Sequence, residues 1–317
     1  MKISIVVPVY NESLGLEEFM KSLNFTMDSL KIHWDVLFVD DGSEDASWQI
    51  IQRLTRLYPM ARGIQLSRNF GHQIALSAGL EHIDGDAVIT MDADLQHPPQ
   101  VIPALVAKWQ EGWEVVNTVR ADTRTTGWFK RQTSTLFYRF INKISDVPIT
   151  AGAADFRLLD RKAVAALLSM PERNRFLRGM VSWIGFRQAF VCYEPGMRRA
   201  GESKYTLKKM LHLGIDGLTS FSLGPLRLAL LLGAISIILA LFYAVYVLWV
   251  KIATHTAEPG WTSIIGVVLF FGGVQLVSLG IFGEYLGQIF GETKRRPLYI
   301  IRQTTGPIPH PERKETP

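Results

Sequence analysis

Cysteine is nearly absent from this chain of 317 residues, which contains only Cys192. That excludes an intramolecular disulfide and a Cys-x-x-Cys metal site, and it fits a reducing compartment in which Cys192 packs as a small apolar side chain in or beside a strand. The chain also has no G-x-G-x-x-G after its first apolar run and no P-loop. An ordinary dinucleotide or ATP site is therefore not expected.

A signal peptide is not expected either. The first residues run straight into an apolar segment, 3–7, without a charged n-region or a small-residue cleavage site. The net charge of +5 and the isoelectric point near 9.3 would suit nucleic acid. However, the basic residues concentrate beside two apolar runs near the C-terminus, which favours an anionic membrane surface and no nucleic-acid partner.

Long apolar runs are missing before about residue 220, and two follow it. Residues 228–250 carry no charge, and residues 264–286 carry only Glu284. The first run is long enough to span a hydrocarbon core of about 30 Å, and the short connection between the runs predicts an antiparallel transmembrane hairpin. Basic residues flank it on both sides, namely Lys208, Lys209, Arg227, Lys294, Arg295 and Arg296. The positive-inside rule then predicts that both ends are cytoplasmic.

The first part of the chain alternates predicted strands with predicted helices. Apolar strand runs cover 2–10, 34–39, 61–66, 87–91 and 114–119. Helical periodicity follows at 14–30, with Asn11 or Ser13 as N-cap, and at 45–58, 72–83 and 101–109. This alternation predicts an α/β fold with a mainly parallel sheet.

The fourth predicted strand ends in Asp92 and Asp94, and Pro98-Pro99 prevents it from continuing. Two carboxylates one residue apart at a strand end can share one Mg²⁺ or Mn²⁺, which takes its other ligands from substrate phosphate and water. Ligands of open α/β sheets bind at the carboxyl ends of the strands. The alternative is a solvated turn with two aspartates. His97 follows the motif, and we interpret it as a loop or supporting residue rather than a metal ligand.

Polar residues also follow the first two strands. Glu12, Asp40 and Asp41 stand where a nucleobase and ribose would bind. For Glu12 and Asp41 the alternative is a favourable charge at a helix N-terminus, worth a few tenths of a kcal/mol. Both interpretations can hold together.

Six stretches carry a resemblance to a known family. They are Val7-Pro8-Val9-Tyr10-Asn11-Glu12, Val39-Asp40-Asp41-Gly42-Ser43, Ser67-Arg68-Asn69-Phe70-Gly71, Asp92-Ala93-Asp94-Leu95-Gln96, Asp155-Phe156-Arg157-Leu158 and Gly201-Glu202-Ser203-Lys204-Tyr205. In this order they resemble the family 2 glycosyltransferases with a GT-A fold. The closer resemblance is to the polyprenyl-phosphate glycosyltransferases, including dolichyl-phosphate mannose synthase and the bacterial undecaprenyl-phosphate glucosyl and aminoarabinose transferases.

The resemblance implies a role for each matching residue. Those expected to bind the nucleotide sugar are Pro8, Tyr10, Glu12, Asp40, Asp92, Ala93, Arg198, Ser203 and Lys204. Those expected to hold a Mg²⁺ or Mn²⁺ ion are Asp92, Asp94 and Gln96. Those expected to bind the phosphate of the lipid acceptor are Arg120, Arg131 and Thr135. The catalytic set is then Asp155, Asp94, Arg120 and Arg131.

Asp155 matches the position of a catalytic carboxylate in related enzymes, but the acceptor weakens the case for a base. A phosphomonoester has its second pKa near about 6 and is mostly ionised at neutral pH. It is already a nucleophile. Asp155 is therefore either a general base or a residue that orients the acceptor or sugar, and the sequence leaves both open.

The domain organisation expected from these patterns has four parts. They are a GT-A domain at 1–205, an interfacial helix at 206–226, two transmembrane helices at 227–290 (about 228–250 and 264–286) and a basic, Pro-rich tail at 291–317. Disorder is predicted after Arg302. The segment 170–183 either lies along the membrane interface or packs on the sheet as an amphipathic helix. The resemblance further implies a homo-oligomer, with a tetramer favoured.

The function implied is inverting transfer of one sugar from a nucleoside-diphosphate sugar to polyprenyl (undecaprenyl) phosphate, at the cytoplasmic face of a bacterial inner membrane, for cell-envelope glycan or lipopolysaccharide modification. UDP-glucose is the expected donor, although Gly201–Tyr205 is closer to the aminoarabinose branch. Galacturonic acid, mannose and N-acetylhexosamine are further alternatives. A polysaccharide synthase is disfavoured because two spans cannot enclose a channel. A non-catalytic membrane scaffold is disfavoured by the intact Asp92, Asp94 and Gln96.

Overall fold

The structure is a computed structural model that describes residues 1–94, 96–120, 153–194, 224–254 and 260–308. The chain divides into two units. Among the described residues, the first is an α/β unit that comprises 1–94, 96–120, 153–194 and 296–308, and the second is a helical unit that comprises 224–254 and 260–295.

Eight strands in the described part of the chain form one mixed sheet, in the order β7-β5-β6-β4-β1-β2-β3-β8. In chain order, β1 to β8 are Lys2–Val9, His33–Asp40, Ala61–Leu66, Ala87–Thr90, Val115–Arg120, Ala153–Asp160, Gln188–Tyr193 and Ile301–Thr305. The first four are apolar runs buried along most of their length. Such runs are typical of strands covered by helices on both faces.

The pairing of the strands is parallel at the centre and mixed at one side. β4, β1, β2 and β3 run parallel to one another. β6 is antiparallel to both of its neighbours, β4 and β5, whereas β7 is parallel to β5. The predicted α/β fold is confirmed. The antiparallel insertion of β6 is a feature that the strand-helix alternation did not reveal.

Helices cover both faces of this sheet. In chain order, α1 to α6 are Leu16–Ser29, Ser47–Leu57, His72–Glu81, Ile102–Gln110, Arg161–Ser169 and Leu177–Trp183. On one face, Phe19 of α1 and Trp48 of α2 join Ile5 of β1 in the main apolar core. On the other, α3 approaches β1 so closely that a Cβ at Gly79 would lie 2.2 Å from Val6 Cγ1. Because successive strand residues point to opposite faces, both sides of β1 are buried.

The start of α1 differs from the prediction. The helix begins at Leu16, and its N-cap is Gly15, which makes no side-chain cap bond. Asn11 has a positive φ of 55°, and its side-chain oxygen accepts the Glu44 N–H at 2.9 Å. The predicted cap at Asn11 or Ser13 is therefore wrong, because these residues bind the neighbouring loop instead of the helix.

The segment after the second long helix also differs from the prediction. Disorder was expected after Arg302, but Ile301–Thr305 forms β8, which pairs antiparallel with β3 at the edge of the sheet. Polar side chains disguise this strand because an edge strand needs no apolar outer face. Residues 309–317 lie outside the described residues.

Two smaller expectations concern the region around β7. Cys192 lies in β7 as expected, but its side chain is exposed and fills no core space. In the segment 170–183, α6 buries Leu177, Met180 and Val181, while Trp183 remains 62% exposed. Burial of one helix face favours the alternative in which this segment packs on the α/β unit.

The helical unit consists of two long apolar helices, α7 at Gly224–Thr254 and α8 at Trp261–Thr293. Within them, Gly224–Val250 and Gly266–Thr293 are long and apolar enough to cross a membrane, by length and composition. Their large apolar side chains, such as Leu230, Phe242 and Leu276, are mostly exposed. Exposed apolar helices of this length are typical of segments that face lipid.

Candidate active site

The carboxyl ends of the parallel strands and the amino end of β6 meet at one edge of the sheet. Because β6 runs opposite to β4, Thr90 pairs with Arg157. The Thr90 hydroxyl donates to the backbone oxygen of Asp155 at 2.6 Å. Asp155 therefore lies at the same edge as Asp92. This is the edge at which ligands of open α/β sheets bind.

The loop after β1 is bound to the loop after β2 through side chains. Its backbone N–H groups donate to side-chain oxygens of the second loop and of the first residue of α2, Asn11 to Ser43 Oγ at 3.0 Å, Ser13 to Asp45 Oδ2 at 3.1 Å and Glu12 to Ser47 Oγ at 3.0 Å. With the bond from the Glu44 N–H to Asn11, four hydrogen bonds join the two loops. Tyr10 and Glu12 are half-buried here and Pro8 is buried in β1. These bonds hold the predicted nucleotide loops in one conformation.

Asp40 lies beneath these loops rather than at their surface. Its exposed fraction is 0%, and its carboxylate accepts from Gln65 Nε2 at 2.9 Å and from the Ser43 N–H at 3.3 Å. Burial raises the pKa of Asp40, and the bonds from Ser43 and Gln65 act in the opposite direction. The predicted direct contact between Asp40 and a nucleotide is not supported, because the carboxylate has no exposed surface. Its contacts instead position the loop that contains Ser43.

Asp41 binds a third loop, between β3 and α3. Its carboxylate accepts the Phe70 N–H at 2.7 Å and the Gly71 N–H at 2.9 Å, directly before the first turn of α3. Burial raises its pKa, and these two bonds counteract that effect. Gly42 has a φ of +69°, and a Cβ there would lie 2.4 Å from the Arg68 carbonyl carbon. Only glycine allows the two backbones to approach this closely.

The Asp-x-Asp segment after β4 is supported by a buried histidine. The Asp92 N–H donates to His97 Nδ1 at 3.0 Å, and the Gln96 N–H donates to Asp94 Oδ1 at 3.0 Å. His97 is 2% exposed and stacks on Phe156 with ring centroids 5.3 Å apart. Burial lowers its pKa, so the ring is neutral and its Nδ1 accepts the hydrogen bond. The supporting role predicted for His97 agrees with this geometry.

Arg120 reaches the same segment from the end of β5. Its Nη2 donates to Gln96 Oε1 at 3.1 Å, and its Nε donates to the Tyr193 hydroxyl at 3.2 Å. Arg120 as a residue is exposed. A positive charge therefore lies beside the predicted metal ligand, where an anionic phosphate could bind.

Asp155 lies in a cluster of positive side chains. Arg178 of α6 binds it with two nitrogens at 3.0 and 2.9 Å, and Arg157 Nη2 lies 3.2 Å away. His72 Nε2 lies 3.7 Å from Asp155 and 3.6 Å from Asp92. Burial alone would raise the pKa of Asp155, but Arg178, His72 and Arg157 hold it well below its usual range. The carboxylate therefore stays ionised and is a weak proton acceptor.

His72 links the two aspartates at the first turn of α3. Burial would lower its pKa, but the charges of Asp92 and Asp155 raise it to about 9. The sequence patterns predicted no role for His72, Arg157 or Arg178. Arg157 lies within a quoted motif and His72 directly follows one, but only the tertiary structure, in which side chains of α3 and α6 reach Asp155 of β6, reveals that they share one carboxylate.

The chemistry of the donor set fits a hard divalent cation. Asp92 and Asp94 offer carboxylate oxygens and Gln96 an amide oxygen, and the Asp92 side chain is 33% exposed. Among the described residues, no group of three or more His, Cys, Asp or Glu side chains is arranged as a metal site. Mg²⁺ needs only one or two protein carboxylates when substrate phosphates and water complete its shell.

The remaining predicted site residues are either buried or outside the described part of the chain. Ala93 is 2% exposed, and its backbone approaches Gly15. Five predicted residues lie outside the described part of the chain, Arg131, Thr135, Arg198, Ser203 and Lys204. The same holds for most of the predicted interfacial helix at 206–226.

Comparison with known proteins defines the class. Residues 4–168 match the family model described as Glycosyl transferase family 2, and residues 224–289 match the GtrB C-terminal hairpin. The chain belongs to glycosyl transferase family 2 and is a glycosyltransferase. The predicted family, enzyme class and GT-A fold are confirmed.

Similar proteins extend over almost the whole chain. An uncharacterized glycosyltransferase, YkcC, from Bacillus subtilis is 45% identical over 96% of this chain and 94% of its own. The prophage bactoprenol glucosyl transferase homolog of Escherichia coli K12 is 40% identical over 96% and 99%. The bactoprenol glucosyl transferase of Shigella phage SfII is also 40% identical, over 96% and 98%.

Proposed function

We propose that the protein transfers a single glucose from UDP-glucose to undecaprenyl phosphate, with inversion, at the cytoplasmic face of a bacterial inner membrane. The observation that carries this proposal is the edge of the sheet where Asp92, Asp94 and Gln96 adjoin Arg120 and the Asp155 cluster. The names of the two bactoprenol glucosyl transferase relatives support glucose and a polyprenyl phosphate.

The three interlocked loops are proposed to hold the donor. Tyr10 and Glu12 would line the base and ribose pocket, with Pro8 and Asp40 supporting it from below. Asp92, Asp94 and Gln96 would hold Mg²⁺ or Mn²⁺, which when bound neutralises charge on the departing diphosphate. Asp92 and Ala93 would adjoin the ribose and diphosphate. Arg198, Ser203 and Lys204 are proposed to close over the donor.

The acceptor phosphate is proposed to act as the nucleophile without a protein base. Its oxygen is ionised at neutral pH, because the second pKa of a phosphomonoester is about 6. Asp155 cannot readily take a proton while Arg178 and Arg157 neutralise it. We therefore assign Asp155 to orienting its arginine partners and His72, and Arg120, with Arg131 and Thr135, to binding the acceptor phosphate.

The membrane hairpin is proposed to keep the catalytic unit at the lipid head groups. Two long apolar helices separate β7 from β8, and β8 belongs to the same sheet as β1–β7. Two crossings return a chain to the side from which it started. Basic residues at both ends favour the cytoplasmic side for that unit. Confinement to the membrane raises the effective concentration of a lipid acceptor.

We revise the proposed domain boundaries in one respect. The catalytic domain at 1–205, the interfacial segment at 206–226 and the spans at 227–290 are retained as proposals. The tail at 291–317 is no separate region, because 301–305 forms part of the sheet. A homo-oligomer, with a tetramer favoured, is also proposed, since α7 and α8 leave their apolar side chains largely exposed within one chain.

A donor screen tests the proposal. Purified protein in detergent receives undecaprenyl phosphate, Mg²⁺ or Mn²⁺ and a panel of UDP- and GDP-sugars, and mass spectrometry identifies the glycolipid. A monoglucosylated lipid phosphate from UDP-glucose alone is the expected result. Another sugar, such as aminoarabinose, would replace glucose in the proposal. Growing chains would indicate a polysaccharide synthase, and no product with any donor would favour the scaffold.

A further inference from the structure

Gln303 is a polar residue of β8 that has no part in the proposed reaction itself. Its side-chain Nε2 donates to Gln65 Oε1 of the neighbouring strand β3 at 2.7 Å. Gln65 is 7% exposed, and its own Nε2 donates to Asp40 Oδ2 at 2.9 Å. A strand that follows the membrane hairpin in sequence is thus bound to the fully buried carboxylate beneath the nucleotide loops.

The chain of hydrogen bonds continues from Asp40 to the first loop. The Ser43 N–H donates to Asp40 Oδ1 at 3.3 Å, and Ser43 Oγ accepts the Asn11 N–H at 3.0 Å. Each link runs from one strand end to the next, β8 to β3, β3 to β2 and β2 to β1. These hydrogen bonds therefore connect Gln303 with the loop that contains Tyr10 and Glu12. From Gln303 to Asp40 they join side chains only.

The Asp40 carboxylate fixes the direction of both glutamine bonds in this chain. An ionised carboxylate only accepts hydrogen bonds, so Gln65 must present its NH₂ group to Asp40 and its oxygen to β8. The NH₂ group of Gln303 matches that oxygen. A carboxylate at position 303 would instead face the oxygen of Gln65, and an amide flip to relieve this would turn the same oxygen towards Asp40. Either arrangement leaves a buried polar group unpaired.

We infer that Gln303 and Gln65 are positioning residues for donor binding, so that the strand after the membrane hairpin completes the nucleotide pocket. The inference rests on the proposed function, because the donor is taken as UDP-glucose. Neither side chain is assigned a contact with substrate. They act by holding Asp40, and through it Ser43 and the first loop, in the conformation that binds the nucleotide.

β8 has other contacts that keep it in position when Gln303 is changed. Its backbone pairs with β3, and the Ser67 N–H donates to the Ile300 backbone oxygen at 2.8 Å. The Tyr299 hydroxyl donates to Glu81 at the end of α3. Substitution of the exposed Gln303 side chain is therefore expected to preserve the fold.

The test compares Gln303→Ala and Gln303→Glu with Thr304→Ala and Thr304→Glu in the full-length protein. Thr304 is the next residue of β8, is exposed, and points to the opposite face. The KM for UDP-glucose, the KM for undecaprenyl phosphate and kcat are measured, with the Kd for UDP by calorimetry. Loss of one hydrogen bond predicts a rise of about 3- to 10-fold in the donor KM and the UDP Kd for Gln303→Ala.

The rise in the donor KM and the UDP Kd should be larger for Gln303→Glu. The acceptor KM and kcat should stay within about 2-fold of the wild type, and both Thr304 variants should match the wild type. Gln65→Ala should give a similar rise, and the double variant no more than Gln65→Ala alone, because the two residues act in series.

Three results would overturn the inference: an unchanged donor KM and UDP Kd in Gln303→Ala, equal effects at Thr304, or additive effects with Gln65→Ala. If the wild-type protein is active in the same experiment, the proposed function still stands. A wild-type protein that neither transfers glucose nor binds UDP would refute the proposed function and this inference with it. If it binds UDP but transfers another sugar, the UDP Kd values still decide the inference.

Discussion

Asp155 shows how neighbouring charges decide the role of a single carboxylate. Two nitrogens of Arg178, one of Arg157 and the ring of His72 lie within 3.7 Å of its oxygens. A general base working near neutral pH needs a pKa close to that pH, and these charges move the pKa of Asp155 in the opposite direction. The carboxylate is suited to orienting Arg178, Arg157 and His72.

The first prediction concerns the pH dependence of transfer. The acid limb of kcat/KM should lie near about pH 6, the second pKa of the acceptor phosphomonoester, and it should persist in the residual activity of Asp155→Asn. If Asp155 were the base, the limb would disappear in that variant. Steady-state rates measured from about pH 5 to about pH 8, a range that brackets the acceptor pKa, distinguish these cases.

The second prediction concerns stability. Asp155→Asn removes a buried negative charge beside Arg157 and Arg178 and should lower the free energy of unfolding by about 3 kcal/mol at neutral pH. The folded pKa of Asp155 is depressed, so its stabilisation is present above the unfolded value of about 3.9 and is lost as the pH falls through the folded value. Denaturant unfolding should therefore show the deficit at pH 7 and a smaller one in strong acid. An equal deficit at both pH values would contradict the ion-pair explanation.

The third prediction concerns Asp94, whose described contact is one bond from the Gln96 N–H. Asp94→Asn should reduce metal-dependent transfer by about 100-fold or more and raise the Mn²⁺ concentration required. Its unfolding midpoint should change little. The control is Asp84→Asn, an exposed aspartate paired with Lys2 near the opposite edge of the sheet, which should retain activity. Full activity in Asp94→Asn would refute the metal assignment.

At the scale of elements, three loops behave as one structure because each is bound to the next. The loop after β1 is bound to the loop after β2, and that loop is bound to the β3–α3 loop through Asp41 and the close approach at Gly42. A substitution in any one of these loops is therefore expected to change the affinity for the proposed donor.

The fourth prediction separates backbone strain from this close approach. Gly42 and Gly112 both have positive φ, but a Cβ at Gly112 would meet nothing within 4 Å. Gly112→Ala should cost about 1–2 kcal/mol for the left-handed backbone alone. Gly42→Ala should cost about 3 kcal/mol or more, because its Cβ also displaces the backbone of Arg68, and it should raise the donor KM. Equal unfolding free energies and donor KM values for both variants would show that the loops are not held by this contact.

At the scale of the whole molecule, the hairpin is inserted between strands of one sheet. β7 precedes α7 and β8 follows α8, and both strands belong to the α/β unit. A chain that leaves a folded unit, enters the membrane and returns to the same unit must cross the membrane an even number of times. The two proposed spans would satisfy that condition, and the basic flanks agree with the proposed cytoplasmic side for the unit.

The fifth prediction tests this topology with single cysteines in a Cys192→Ser background. A membrane-impermeant maleimide should label Ala257→Cys, between the two spans, in spheroplasts of intact permeability. It should label Arg302→Cys in β8 only after the membrane is opened. Labelling of both positions, or of neither, before permeabilisation would contradict a hairpin with cytoplasmic ends.

Much of the fold follows from local patterns. Apolar runs of strand length predicted β1–β5 to within a few residues, and the two long apolar runs lie within α7 and α8. The order of the motifs predicted the family. Less could be predicted where a residue's partners are distant in sequence. Asp40 was expected to contact a ligand and is instead buried under Ser43 and Gln65, 25 residues away along the chain.

The sequence alone therefore determined the succession of β1–β5 and the helices between them, the two long apolar helices and the carboxylates at the end of β4, because periodicity, length and strand termini are local properties. Only the tertiary structure decided that β6 runs antiparallel beside β4, that Arg178 and His72 share Asp155, and that β8 closes the sheet against Gln65. These pairings depend on which distant segments bury one another. No local pattern encodes them. In sequence, a polar edge strand cannot be distinguished from a loop, and a paired arginine cannot be distinguished from a solvated arginine.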